Sequence, residues 1–130
     1  MQDAIFIAAP PGTSWPLTCQ DVEQHLQARF PHARTFQKFA PVSSKNYVDF
    51  EVTLGDMARH GSYFDNSNLI LRDGSPEFWA DTIVWFLSLL PTGTSAVAMV
   101  EGNPELIEPI AVGASQDEIQ DLLESLIEAE

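Results

Sequence analysis

From residue 73 onward the sequence has no lysine and no arginine. All six strong bases, Arg29, Arg34, Lys38, Lys45, Arg59 and Arg72, lie in residues 1–72, where seven acids bring the net charge to −1. The other twelve acids give residues 73–130 a charge of −12, out of −13 for the whole chain. A surface of that sign repels phosphate, which argues against nucleic acid and against an anionic membrane as partners. Cysteine is nearly absent too. With Cys19 alone there is no intramolecular disulfide, so the fold rests on packing. Long apolar runs are missing: Ile83 to Leu90 is broken by Ser88 and is about half the ~18–20 residues that a membrane-spanning helix needs. Met1-Gln2-Asp3 carries no base, and the apolar patch Ala4–Ala9 is too short for the core of a secretory signal. A cytoplasmic location is therefore expected.

The motifs of common chemistries are also lacking. Cys19, His25, His32 and His60 are scattered, with no Cys-x-x-Cys or His-x-x-x-His spacing for zinc and no Asp-x-Asp-x-Asp-Gly loop for calcium. The loop Pro11-Gly12-Thr13-Ser14 follows a strand but lacks the lysine and glycines of a phosphate loop, and no serine sits in a Gly-x-Ser-x-Gly setting. Cys19 falls at a predicted helix start, where a thiolate is favoured, yet it shares the apolar face with Val22 and Leu26 and reads as core. Asp49 and Glu51 point to one side of a strand ~6–7 Å apart, the ordinary outward repeat of a half-buried strand. No catalytic residue, metal or cofactor is expected from these patterns.

What is present is a normal globular composition: 45% hydrophobic residues in a chain of 130, enough for one domain over residues 1–130 with a core of its own. Ala4–Ala9 reads as a strand apolar on both faces. Thr18 is a good N-cap for a helix running to Pro31, with Asp21 near its positive end. Arg34–Ala40 reads as a weak strand, and Tyr47–Leu54 as a strong one with Val48, Phe50, Val52 and Leu54 on the buried side. Gly55 to Asn68 reads as a long polar loop, followed by a short strand at Leu69–Leu71. Ser75-Pro76-Glu77 opens a helix to Leu90 that is apolar almost all round. Strands follow at Ser95–Val100 and Leu106–Val112, where Pro109 calls for a sheet edge. Ser115-Gln116-Asp117-Glu118 is a capping box for a final helix.

The expected fold is thus α+β, a single mostly antiparallel sheet of about five to six strands with three helices, in the order β-α-β-β-(β)-α-β-β-α. With the short strand set aside, the first six elements resemble a ferredoxin-like arrangement. The strand, turn, strand and acidic helix from Ser95 to Glu130 resemble the closing part of the small, acidic, dimeric chaperones of type III secretion, although the leading strand departs from that pattern. That second resemblance implies a chain that binds another protein rather than one that performs catalysis.

Three groups of residues are candidates for contact. The aromatics Trp15, Tyr63 and Phe64 lie in segments read as polar loops, where large rings can anchor a partner. The carboxylates Asp117, Asp121, Glu124 and Glu128 share one face of the last helix with no base beside them. Phe78, Trp85 and Leu89 form a second apolar face on the helix from Ser75, which suggests self-association as a homodimer. Together these point to a non-enzymatic protein-binding domain with a basic protein as partner, the class to which immunity proteins against toxins and secretion chaperones belong. An enzyme or ligand-binding domain with a site dispersed along the sequence, or a structural subunit of an assembly, are the alternatives.

Overall fold

A computed structural model describes residues 3–129; expectations placed on Met1, Gln2 and Glu130, and on the side chain of Leu54, lie outside the described residues. The elements run β1 (Ile5–Ala8), α1 (Cys19–Arg29), β2 (Arg34–Ala40), β3 (Lys45–Leu54), β4 (Met57–Phe64), β5 (Asn68–Arg72), α2 (Pro76–Leu87), β6 (Ala96–Val100), β7 (Glu108–Ile110) and α3 (Gln116–Glu128). This is the expected α+β class, with one more strand than expected. Among the described residues the seven strands form one antiparallel sheet in the order β2-β3-β4-β5-β1-β6-β7.

The extra strand is β4, which replaces the polar loop expected at Gly55–Asn68. Leu54 pairs with Met57, so Gly55-Asp56 is a two-residue hairpin turn, with Gly55 at φ 64° supplying the left-handed backbone such a turn requires. The strand is hard to read because its positions toward the helices are Met57, Arg59, Gly61 and Tyr63, of which only the last is a buried large hydrophobe. Gly61 is small for a reason across the sheet. The ring of its partner Phe50 lies over it, and a Cβ at Gly61 would stand 2.4 Å from that ring. The sub-order β6-β1-β5-β4, with α1 and α2 in the connections, resembles the split β-α-β layout of ferredoxin-like sheets. It uses β4 and the short strand set aside above, not β2 and β3, which extend the sheet as an added hairpin.

Local rules account for the helices. Thr18 and Asp21 form a capping box on α1, Ser75 caps α2 with Pro76 following, and Ser115 with Glu118 caps α3. All three helices pack on one side of the sheet. Ile5, Ile7, Val48, Phe50, Leu69, Leu71, Ala98 and Val100 meet Val22 and Leu26 of α1, Trp79, Ile83 and Phe86 of α2, and Ile119, Leu123 and Leu126 of α3 in one buried cluster. α2 has α3 on one side. On the other, the end of α1 reaches it through an Arg29–Asp81 ion pair at 2.9 Å and an edge-on Phe30–Trp85 contact at 5.7 Å. A helix with the sheet beneath and a helix on either side has little solvent face, which explains its apolar circumference.

Candidate functional site

With every helix on one side, the other face of the sheet is open. The pairing register lays its side chains out in three rows that cross the strands. One row runs Met99, Phe6, Ile70, Ser62, Asp49, Phe36; a second runs Val97, Ala8, Asn68, Phe64, Tyr47, Lys38; a third runs Arg72, His60, Glu51, Arg34. At ~4.8 Å between strands the open face is ~29 Å wide. Its β6-β1-β5 side is apolar, through Phe6, Ile70, Val97 and Met99, and its β2-β3-β4 side is charged and aromatic. A cleft of about 540 Å³ opens on the second side, lined by Arg34, Phe36, Tyr47, Glu51, His60 and Arg72 among others.

The charges in this cleft are ordered. Lys38 Nζ lies 2.9 Å from Asp49 Oδ2, the Ser62 hydroxyl donates to Asp49 Oδ1, and Arg72 Nη1 donates to Ser62 Oγ at 2.9 Å. Partial burial opposes the Asp49 carboxylate, but the hydrogen bonds from Ser62 and Lys38, with the charges of Lys38 and Arg72, outweigh it and hold its pKa below the usual 3.8. The Asp49 carboxylate in turn raises the Lys38 ammonium above its usual 10.5. Beside this group His60 Nε2 is 2.9 Å from Glu51 Oε2, and His60 Nδ1 is 3.5 Å from Asp73 Oδ2. Ser62 is 1% exposed and held between a guanidinium and a carboxylate. It bridges charges, while the imidazole that would have to activate it is engaged by other carboxylates. Tyr47 and Phe64 stack at 4.7 Å, and Arg34 lies 5.8 Å from the Phe36 ring. Among the described residues no three His, Cys, Asp or Glu side chains are grouped as metal ligands. No described helix is long and apolar enough to cross a membrane.

The structure separates the three aromatics named from the sequence. Trp15 and Tyr63 are core residues, 2% and 0% exposed, so neither ring is presented to a partner. The reason is a set of hydrogen bonds that sews residues 15–17 to the end of β4, to the β4–β5 turn and to the residue before β6. Tyr63 OH donates to Leu17 O at 2.7 Å, Asn66 Nδ2 donates to Trp15 O at 2.8 Å, and Trp15 Nε1 donates to Ser95 O at 3.1 Å. Their rings stack at 6.5 Å, and both meet Phe86. Phe64 alone of the three reaches the open face. Asp117, Asp121, Glu124 and Glu128 are exposed together on the outside of α3. Phe78, Trp85 and Leu89 are half-buried against the chain's own core, Phe78 with Arg59 5.1 Å from its ring, so the apolar girth of α2 calls for no second copy. Cys19 is buried; desolvation, the Asp65 charge and an Asp65 hydrogen bond push its thiol pKa up and keep it protonated.

Asp49 and Glu51 were visible from the sequence as an outward pair. Arg34, Lys38, His60, Ser62 and Arg72 were not, because they join that pair only through the pairing of β2, β4 and β5 with β3. The available signal was the Gly55-Asp56 spacing after an alternating strand, which marks a hairpin and would have placed His60 opposite Glu51. Fold and site together define an α+β domain with one helix-covered and one open sheet face. No protein-family model, no curated protein and no solved structure matches the chain.

Proposed function

We propose that this chain is a non-enzymatic protein-binding domain that docks its partner on the open sheet face, and that the partner is basic. The observation that carries the reading is the make-up of that face. An apolar half of Phe6, Ile70, Val97 and Met99 adjoins a half rich in arginine and aromatic side chains, the composition found where proteins meet. What supports a basic partner is the net charge of −13 and the exposed carboxylates of α3, which attract cations over a distance and speed encounter more than they strengthen a complex. The test is capture from native lysate by three immobilised proteins: wild type, Phe36→Ser with Tyr47→Ser, and a form with Asp117, Asp121, Glu124 and Glu128 changed to Asn or Gln. A basic protein retained by the wild type should be lost with the sheet-face variant. It should associate severalfold more slowly with the α3 variant, with a flatter dependence on salt as the Debye length falls from ~10 Å at 0.1 M to ~3 Å at 1 M. Equal capture by all three overturns the reading.

One observation favours a small-ligand domain instead: the cleft gathers ionic groups from β2, β3, β4 and β5 around a buried hydroxyl. A small molecule that stays with the purified protein in native mass spectrometry, and is lost in Arg72→Gln, would support that reading.

A further inference from the structure

The two edges of the sheet are guarded very differently. β7 is three residues long and carries Pro109, which lacks the N–H that a further strand would need. β2 is seven residues long and has no proline. Its aromatic side chains are exposed, Phe36 by 51% and Phe39 by 57%. A lysine on an edge usually protects it, but Lys38 reaches across to Asp49 on β3 and does not stand over the free edge. A long, aromatic edge of this kind is a template for another strand.

We infer that the strand that adds to β2 is β2 of a second copy, paired antiparallel about a two-fold axis through Gln37. The length and the charges of β2 together select this register, since an axis through Thr35 or Phe39 would leave most of the strand unpaired. A symmetric pair keeps open-face residues opposite open-face residues only when the axis passes through a residue position. Centred on Phe36, the pair would set Arg34 against Lys38 of the other copy; centred on Lys38, it would set the two lysines against each other. Like charges directly opposite destabilise a pair of strands. Centred on Gln37, Phe36 faces the other copy's Lys38, Thr35 faces its Phe39, Arg34 faces its Ala40, and the two Gln37 side chains meet. No cation opposes a cation, and both exposed phenylalanines gain a neighbour. The helix layers of both copies then lie on the same side of one continuous sheet, and the two open faces join. This pairing uses the edge of the sheet and stands whether or not the open face binds a basic protein.

The test uses the full chain. Light scattering at tens of micromolar should give twice the 14.4 kDa chain mass. Phe36→Lys with Phe39→Lys, which restores a charged edge, should give the chain mass with an unchanged far-ultraviolet dichroism spectrum. Opposed residues of paired strands have Cα atoms ~4.5–5.5 Å apart, within disulfide reach. Gln37→Cys should therefore cross-link to a covalent dimer under mild oxidation, severalfold faster than Phe36→Cys or Lys38→Cys, while wild type, whose Cys19 is buried, should not cross-link. A monomeric wild type, a dimer undisturbed by the two lysines, or faster cross-linking at 36 or 38 overturns the inference. A monomer whose β2 amides gain protection from hydrogen exchange only when another protein is added would assign the edge to that protein instead.

Discussion

On the helix side of the sheet, Ile5, Ile7, Val48, Tyr63 and Leu71 are completely shielded from water; one position along the same strands, Phe6, Tyr47, Phe64 and Ile70 are partly open to it. The same strands therefore do two jobs. Toward the helices, each large side chain is enclosed from above, and full burial of such a group contributes ~1.5–3 kcal/mol. Away from them, side chains touch only lateral neighbours: Tyr47 on Phe64, Lys38 on Asp49, His60 on Glu51. Lateral contacts of this kind leave the upper surface free and cost little to rearrange. Burial is concentrated on one face, and partly exposed aromatic and charged side chains are left on the other.

The sharpest way to break that contrast is to remove one aromatic ring from each face. Trp15→Ala takes out a ring that packs on Tyr63 and Phe86 and whose N–H is hydrogen-bonded to Ser95, and it should cost ~3–5 kcal/mol in urea denaturation. Phe36→Ala, on the exposed edge, should change the stability of the monomer, measured at a concentration too low for pairing, by less than ~0.5 kcal/mol. Comparable losses at the two sites would show that the open face also carries the fold.

A smaller effect is expected at Cys19. Cys19→Ala leaves a small cavity beneath α1 and should lower stability by ~1 kcal/mol, while the native thiol, buried and kept protonated beside Asp65, should react slowly with a bulky thiol reagent. Rapid labelling of the folded protein would place this residue at the surface rather than in the core.

The smallest effect belongs to the open face itself. Asp49 has a folded-state pKa below its ordinary 3.8, so its contribution is present above that value and is lost as pH falls through the lower one. Asp49→Asn should therefore cost under ~1 kcal/mol at neutral pH, because the Lys38–Asp49 pair is screened by solvent. The difference from wild type should vanish in strong acid. A gap that persists there would mean that the network around Ser62 supports the fold through packing rather than charge.

Much of the fold was legible residue by residue. The caps at Thr18, Ser75 and Ser115, the alternation of Val48, Phe50 and Val52, and the edge position implied by Pro109 are local signals, each set by backbone hydrogen bonding or by period. β4 was not legible, because its inward positions answer to partners elsewhere: Gly61 to the ring of Phe50, and Tyr63 to the carbonyl of Leu17. For the same reason Trp15 and Tyr63 looked like loop aromatics until the β4–β5 turn was seen to close over residues 15–17.

By itself, the sequence determined the class of fold, the N-terminal caps of the helices and the separation of charge, since these depend on neighbours within a few residues or on composition alone; the second helix, expected to run to Leu90, ends as an α-helix at Leu87. The tertiary structure decided which strands lie side by side. That choice left one face of the sheet bare and brought Arg34, Asp49, Glu51, His60, Ser62 and Arg72 into one cleft. Strand neighbours are chosen by the packing of the whole core, a property that no short stretch of the chain encodes.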